Sequence, residues 1–167
     1  MLHRDTFEKE YRRIFSEYKY GTTVWSPLAG GILSGKYNDG VIPEGSRYDN
    51  HKILDRIWTT YMGPTKKDET LKKLNALADY AKELGYSQAQ LALAWTIANT
   101  DVSTALLGFS KLSQVDENLK AIELYQKWNA DIEKKIEEIL GNGPEPLIDF
   151  RKWAPMPQRR TESVRFH

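Results

Sequence analysis

Cysteine is absent from the 167 residues, so the chain has no disulfide framework and no thiolate metal site. Histidine is nearly as scarce. His3, His51 and His167 stand far apart, in a terminal segment, a loop and the last position, and no metal site is expected. Charge of one sign is lacking too: a net charge of +1 with 28% charged residues describes an ordinary soluble surface and argues against a nucleic-acid binder. No apolar run approaches the roughly eighteen residues that a membrane span needs, and Met1-Leu2-His3-Arg4-Asp5 opens no signal peptide. A cytoplasmic location without direct membrane insertion is therefore expected. Internal repeats and low-complexity tracts are missing as well.

What the chain does have is a short strand running into a glycine-rich loop closed by lysine. It reads Thr22-Thr23-Val24-Trp25-Ser26-Pro27-Leu28-Ala29-Gly30-Gly31-Ile32-Leu33-Ser34-Gly35-Lys36-Tyr37. Backbone N–H groups of such a turn can converge on an anion, and the lysine adds a full charge, so phosphate is the expected ligand. Gly30 to Lys36 spells most of a P-loop, G-x-x-x-x-G-K. A P-loop needs Ser or Thr next, for the magnesium ion, and here Tyr37 follows. Pro27 interrupts the strand-to-loop passage, and Asn38-Asp39-Gly40 with Pro43 reads as loop where a helix should begin. The P-loop reading fails.

A second strand-loop-helix unit follows. Ser103 to Ser110 is a short apolar run ending in Gly108-Phe109-Ser110, the pattern of a buried parallel strand. Ser113 to Ile122 then reads as helix, with Val115, Leu119 and Ile122 on one stripe and Ser113 with Asp116 as a cap pair. A helix opening beside a glycine is a second anion site. Two such units fit a β/α barrel, whose phosphate sites gather in its last loops.

Taken in order, Trp25 to Tyr37, then Glu44-Gly45-Ser46-Arg47, then Leu107 to Ser110 with Gln114, Glu117, Asn118 and Leu119, the chain resembles the aldo-keto reductases. Within them it resembles the branch containing the β subunits of voltage-gated potassium channels. The resemblance runs from Phe7 to about Leu140. It implies an α/β fold, the C-terminal part of an NADP-binding (β/α)8 TIM barrel. It also gives each piece a role toward NADP(H). Trp25 lies against the nicotinamide ring. Ser26, Pro27, Leu28, Ala29 and Gly30 loop over the pyrophosphate, with Lys36 as counter-charge. Arg47 covers the adenosine side, where an arginine fork suits phosphate. Gly108, Ser110 and Gln114 hold the 2′-phosphate, and Glu117 with Asn118 the adenine or its ribose. Gly45 and Lys111 depart from the family pattern: a larger residue at the first would help cover the cofactor, and the second either strengthens the preference for NADP or is simply solvated.

The resemblance also marks what is not here. The family's catalytic Asp, Tyr, Lys and His lie at the ends of early barrel strands, and no residue of this chain matches them. The barrel needs eight strand-helix units and roughly 250 residues. Two barrel strands are readable in these 167 residues, so the fold is incomplete as given and no catalytic residue is assigned. Two functions follow. One is the NADP(H)-binding portion of a reductase of aldehydes and ketones, inactive without a missing N-terminal half. The other is a non-catalytic subunit of a larger assembly, potassium-channel β-subunit-like. Either implies a missing half, a partner subunit or a homo-oligomer.

The rest reads as scaffold. Asp5 with Glu8 is expected to cap a first helix whose stripe is Phe7, Tyr11, Ile14 and Tyr18, ended by Gly21. Residues 42–64 form a long loop with a helical turn near Ile53, Leu54, Ile57 and Trp58. Helices are expected over Asp68 to Leu84, after a Ser87/Gln90 cap, and over Ala130 to Leu140 between Asn129 and Gly141. Their inward stripes are Leu71, Leu74 and Leu77; Leu91, Ala94 and Trp95; and Ile132, Ile136 and Ile139. The barrel portion is expected over 1–141. Residues 142–167 form a proline-rich, mildly basic tail, read either as a mobile terminus or as an arm that pins Phe150 and Trp153 onto a neighbour.

Overall fold

The computed structural model describes residues 1–50 and 55–145. The expected helical turn at Ile53 and Leu54 and the arm at Phe150 and Trp153 lie outside the described residues. The chain is α/β, with mostly helices around a small parallel sheet. In chain order the helices are α1 (Arg12–Tyr18), α2 (Arg47–Asn50), α3 (Asp55–Met62), α4 (Lys67–Glu83), α5 (Gln88–Ala98), α6 (Ser113–Leu119), α7 (Ala121–Gln126) and α8 (Ala130–Leu140). The strands are β1 (Thr22–Trp25) and β2 (Val102–Leu106). They pair in parallel, Val24 opposite Ala105 and Trp25 opposite Leu106, after an irregularity between Thr22 and Thr23. Parallel strands need a crossover, and α2 to α5 supply it.

The core follows the stripes predicted for α4, α5 and α8, whereas Leu119 and Ile122, predicted on one helical stripe, are exposed on two separate helices, α6 and α7. Leu74, Leu77 and Ala81 of α4 meet Leu91, Ala92 and Ala94 of α5, with Leu124 of α7 and Ile132, Ile136 and Leu140 of α8 closing the cluster. Leu140 is buried more deeply than Ile139. Helix α5 touches α4, α6, α7 and β2, which is why its apolar residues are spread around the helix and not along one stripe. The Ser87/Gln90 capping box forms as read: Ser87 Oγ accepts from Gln90 N at 3.3 Å, and Ser87 N donates to Gln90 Oε1 at 2.9 Å. Gly141 ends α8 in the left-handed region, φ 54°. Asn129 Oδ1 accepts from both Asp131 N and Ile132 N at 3.0 Å. Asn129→Ala should therefore cost about 1 kcal/mol, readable as a drop in the urea midpoint with an unchanged slope.

The first helix differs from its prediction. A wide, π-type turn spans Asp5–Glu10, and α1 starts only at Arg12 without a side-chain cap. The wide turn adds a residue per turn and shifts the stripe. Phe15 is buried against Phe7, with ring centroids 4.9 Å apart, while Tyr11, Ile14 and Tyr18 face outward. Lys19, at φ 57°, ends the helix two residues before Gly21. Glu8 does not cap; Arg4 takes it. The strands differ as well: Trp25 and Leu106 at the paired strand ends are exposed, and so are Thr23, Ser103 and Thr104.

Candidate functional site

Both strands end on the same edge of the sheet, because parallel pairing puts Trp25 beside Leu106. Two loops some eighty residues apart in sequence therefore leave the sheet together. The first carries Trp25 to Gly30. Trp25 is 78% exposed, a broad aromatic face turned to solvent. After it the backbone enters the left-handed region at Ser26 (φ 52°), Ala29 (φ 50°), Gly30 (φ 69°) and Gly31 (φ 111°). Left-handed geometry is cheap for glycine and costs roughly 1–2 kcal/mol for other residues, so Ser26 and Ala29 are held there by their surroundings. Ala29 N donates to Ser26 O at 2.9 Å, Gly30 N to Ser26 Oγ at 3.1 Å, and Gly31 N to Leu28 O at 2.9 Å. These amides serve the turn itself; they do not form the open cradle predicted for a phosphate. A tight helical segment, Ala29–Ser34, follows. Lys36 beyond it is exposed and is followed by turns, not by a P-loop helix.

The second loop also spends its donors internally, on one side-chain oxygen. Ser110 N, Lys111 N and Ser110 Oγ all point at Gln114 Oε1, at 2.9, 3.1 and 3.2 Å. The expected Ser113/Asp116 cap is absent: no side chain caps α6 in that way, and Gln114 reaches back instead. Its amide oxygen collects the donors that a phosphate oxygen would collect. Around Gly108 the space is open, with nothing within 4 Å of where a Cβ would stand. Glu117 and Asn118 lie one turn along α6 from Gln114. Gln90 Nε2 donates to Glu117 O at 2.7 Å and so fastens α6 to the core helix α5.

Arg47 stands exposed at the start of α2. Its neighbour Tyr48 is buried and donates to Ala29 O at 2.9 Å, a tie to the first loop that the sequence did not reveal. Gly45, at φ 69°, has open space where a side chain would be, so nothing at that position fills the surroundings. Lys111 is exposed. A cavity of about 310 Å³ opens beside Trp25, Ser26 and Pro27, with Leu33, Tyr61 and Trp95 among its walls. The structure thus brings Trp25 to Gly30 and Gly108, Ser110 and Gln114 to one end of the sheet, with Glu117 and Asn118 on the adjoining helix.

A parallel β/α unit with paired loops at its strand ends is the class that fold and site define. A sequence model described as "Aldo/keto reductase family" matches residues 1–139, and the chain belongs to that family. Among its relatives, a putative voltage-gated potassium channel subunit beta of Schizosaccharomyces pombe is 46% identical over 146 residues, 86% of this chain and 40% of the relative. Probable voltage-gated potassium channel β subunits of Oryza sativa and Arabidopsis thaliana are 37% and 36% identical over 153 residues, 90% of this chain and 44% of each relative. The chain spans about two fifths of the length of these relatives.

Proposed function

We propose that this chain is the NADP(H)-binding, C-terminal side of an aldo-keto reductase barrel. The observation that carries the reading is the pairing of Trp25 with Leu106, which sends both loops out at one edge, where barrels of this kind place phosphate sites. Trp25 offers an open ring face for the nicotinamide. The turn from Ser26 to Gly30, with Lys36 and Arg47, faces the pyrophosphate and adenosine side. Gly108, Ser110 and Gln114 take the 2′-phosphate, and Glu117 with Asn118 the adenine or its ribose. Bound there, NADPH supplies a hydride; this chain's residues bind and orient it. The proton donor belongs to a part of the barrel that this chain does not match.

A second reading has its own support, in the surfaces left open. The outer edges of β1 and β2 carry no strand among the described residues. Tyr11, Ile14 and Tyr18 of the first helix and Leu119, Ile122 and Tyr125 of α6 and α7 are exposed as well. Open edges and apolar stripes of this kind call for further strands and helices, from a preceding half, a partner subunit or a second copy. On that basis, with the channel-subunit relatives, the chain acts within a larger assembly, in the cytoplasm. Among the described residues no helix is long and apolar enough to cross a membrane.

The first reading is tested by titrating the full chain with NADPH. Trp25→Ala should raise the dissociation constant about tenfold, the loss of one aromatic stack, with little change in melting temperature because the ring is exposed. Equal affinity in the variant, or no binding by the unaltered chain, overturns it.

A further inference from the structure

Besides Ser26, a side chain outside the proposed cofactor loop holds it in shape. Tyr48 is 4% exposed, and its ring lies 5.3 Å from that of Tyr37, edge-on, and 5.1 Å from that of Trp58. Tyr37 and Trp58 meet edge-on at 5.5 Å, so the three rings close a cluster. Tyr37 follows Lys36 directly, and Tyr48 follows Arg47 directly. Each cation assigned to the cofactor is thus flanked by a ring of one rigid cluster. From that cluster the Tyr48 hydroxyl reaches the carbonyl of Ala29, a residue held at φ 50°.

We propose that Tyr48 is a positioning residue for NADP(H): its hydroxyl straps the Ala29–Gly30 turn to the aromatic cluster and so fixes Arg47 and Lys36 relative to that turn. The inference rests on the reading that these loops bind NADP(H). Its geometry suits the role. A left-handed alanine persists only where neighbours hold it, and a buried hydroxyl on its carbonyl is such a neighbour. Burial, with Tyr37 nearby, lifts the Tyr48 hydroxyl to a pKa of about 12, so it stays a donor throughout neutral pH.

Tyr48→Phe keeps the ring and removes the strap. In the full chain it should raise the NADPH dissociation constant about fivefold, the worth of one hydrogen bond. It should also speed amide hydrogen exchange in residues 29–34. Arg47→Ala separates positioning from mere structure: it should weaken binding clearly in the wild-type background and much less beside Tyr48→Phe, because an arginine no longer held in place contributes little. Equal Arg47→Ala penalties in the two backgrounds overturn the positioning role. Unchanged exchange in Tyr48→Phe overturns the strap, whatever the wild type binds. A wild-type chain that ignores NADPH overturns the reading of function instead, so the two failures are distinct.

Discussion

Arg4→Met should lower the stability of the chain by about 3 kcal/mol, the loss of a buried cation that two carboxylates share. Arg4 is buried, with its side chain 8% exposed. Its guanidinium forks onto Glu8, with Nε to Oε1 and Nη2 to Oε2 both at 2.7 Å. Nη1 donates to Glu137 of α8 at 2.7 Å, and the group lies 5.5 Å from the centre of the Trp95 ring. Burial alone would discourage the charge; the bonds to Glu8 and Glu137 outweigh it and raise the pKa of the guanidinium. Methionine keeps packing against Trp95 and removes the guanidinium that bridges Glu8 and Glu137. The partly exposed partners put the cost at the low end of the range for broken buried pairs, and the melting temperature should fall by roughly 6–12 °C. Arg4→Lys keeps the charge without the fork and should fall between. A methionine variant that melts with the wild type would show that the clamp contributes nothing net.

That clamp shows where a sequence stops being legible. Helices α4, α5 and α8 could be read because their signals are local: the Ser87/Gln90 box, the Asn129 cap, and Gly141 as terminator all act within a few residues. The two strands and their loops could be read for the same reason, with the family resemblance giving the loops a meaning. Arg4 is different. Its partner Glu137 lies 133 residues away, and no local pattern marks the pair. Tyr48 likewise meets Ala29 at a separation of 19 residues. Where a local reading failed, another local interaction had won. The Ser113/Asp116 cap did not form, while Gln114 reached back to Ser110 and Lys111, and the wide turn over Asp5–Glu10 moved Phe15, not Ile14, into the core. The glycine-rich loop is the subtler case. Its glycines were read as freeing amides for a phosphate, yet their first use is conformational, since Ala29, Gly30 and Gly31 spend those amides within the turn.

Gly30→Ala tests that conformational use, and two separate costs fall on it. At φ 69° a methyl-bearing residue is strained by roughly 1–2 kcal/mol. A Cβ there would also stand 2.5 Å from the Tyr48 hydroxyl oxygen and 3.2 Å from the ring carbon behind it. Overpacking of that kind costs about 1–3 kcal/mol, so the variant should lose roughly 2–5 kcal/mol, and its affinity for NADPH should fall with the turn. The two costs come apart in a second variant. Gly45 has the same φ of 69° but open space around its Cβ position, so Gly45→Ala should cost roughly 1–2 kcal/mol, the conformational part alone. A third isolates the clash. In a Tyr48→Phe background the nearest atom to the new methyl retreats to the ring carbon at 3.2 Å, and Gly30→Ala should be milder there than in the wild type. Equal penalties in the two backgrounds would mean that the turn yields away from Tyr48 instead of pressing on it. A glycine chosen for its backbone alone would tolerate alanine as Gly45 does; one chosen for backbone and neighbour together cannot, and that double constraint is what fixes Gly30 where the strap crosses the loop.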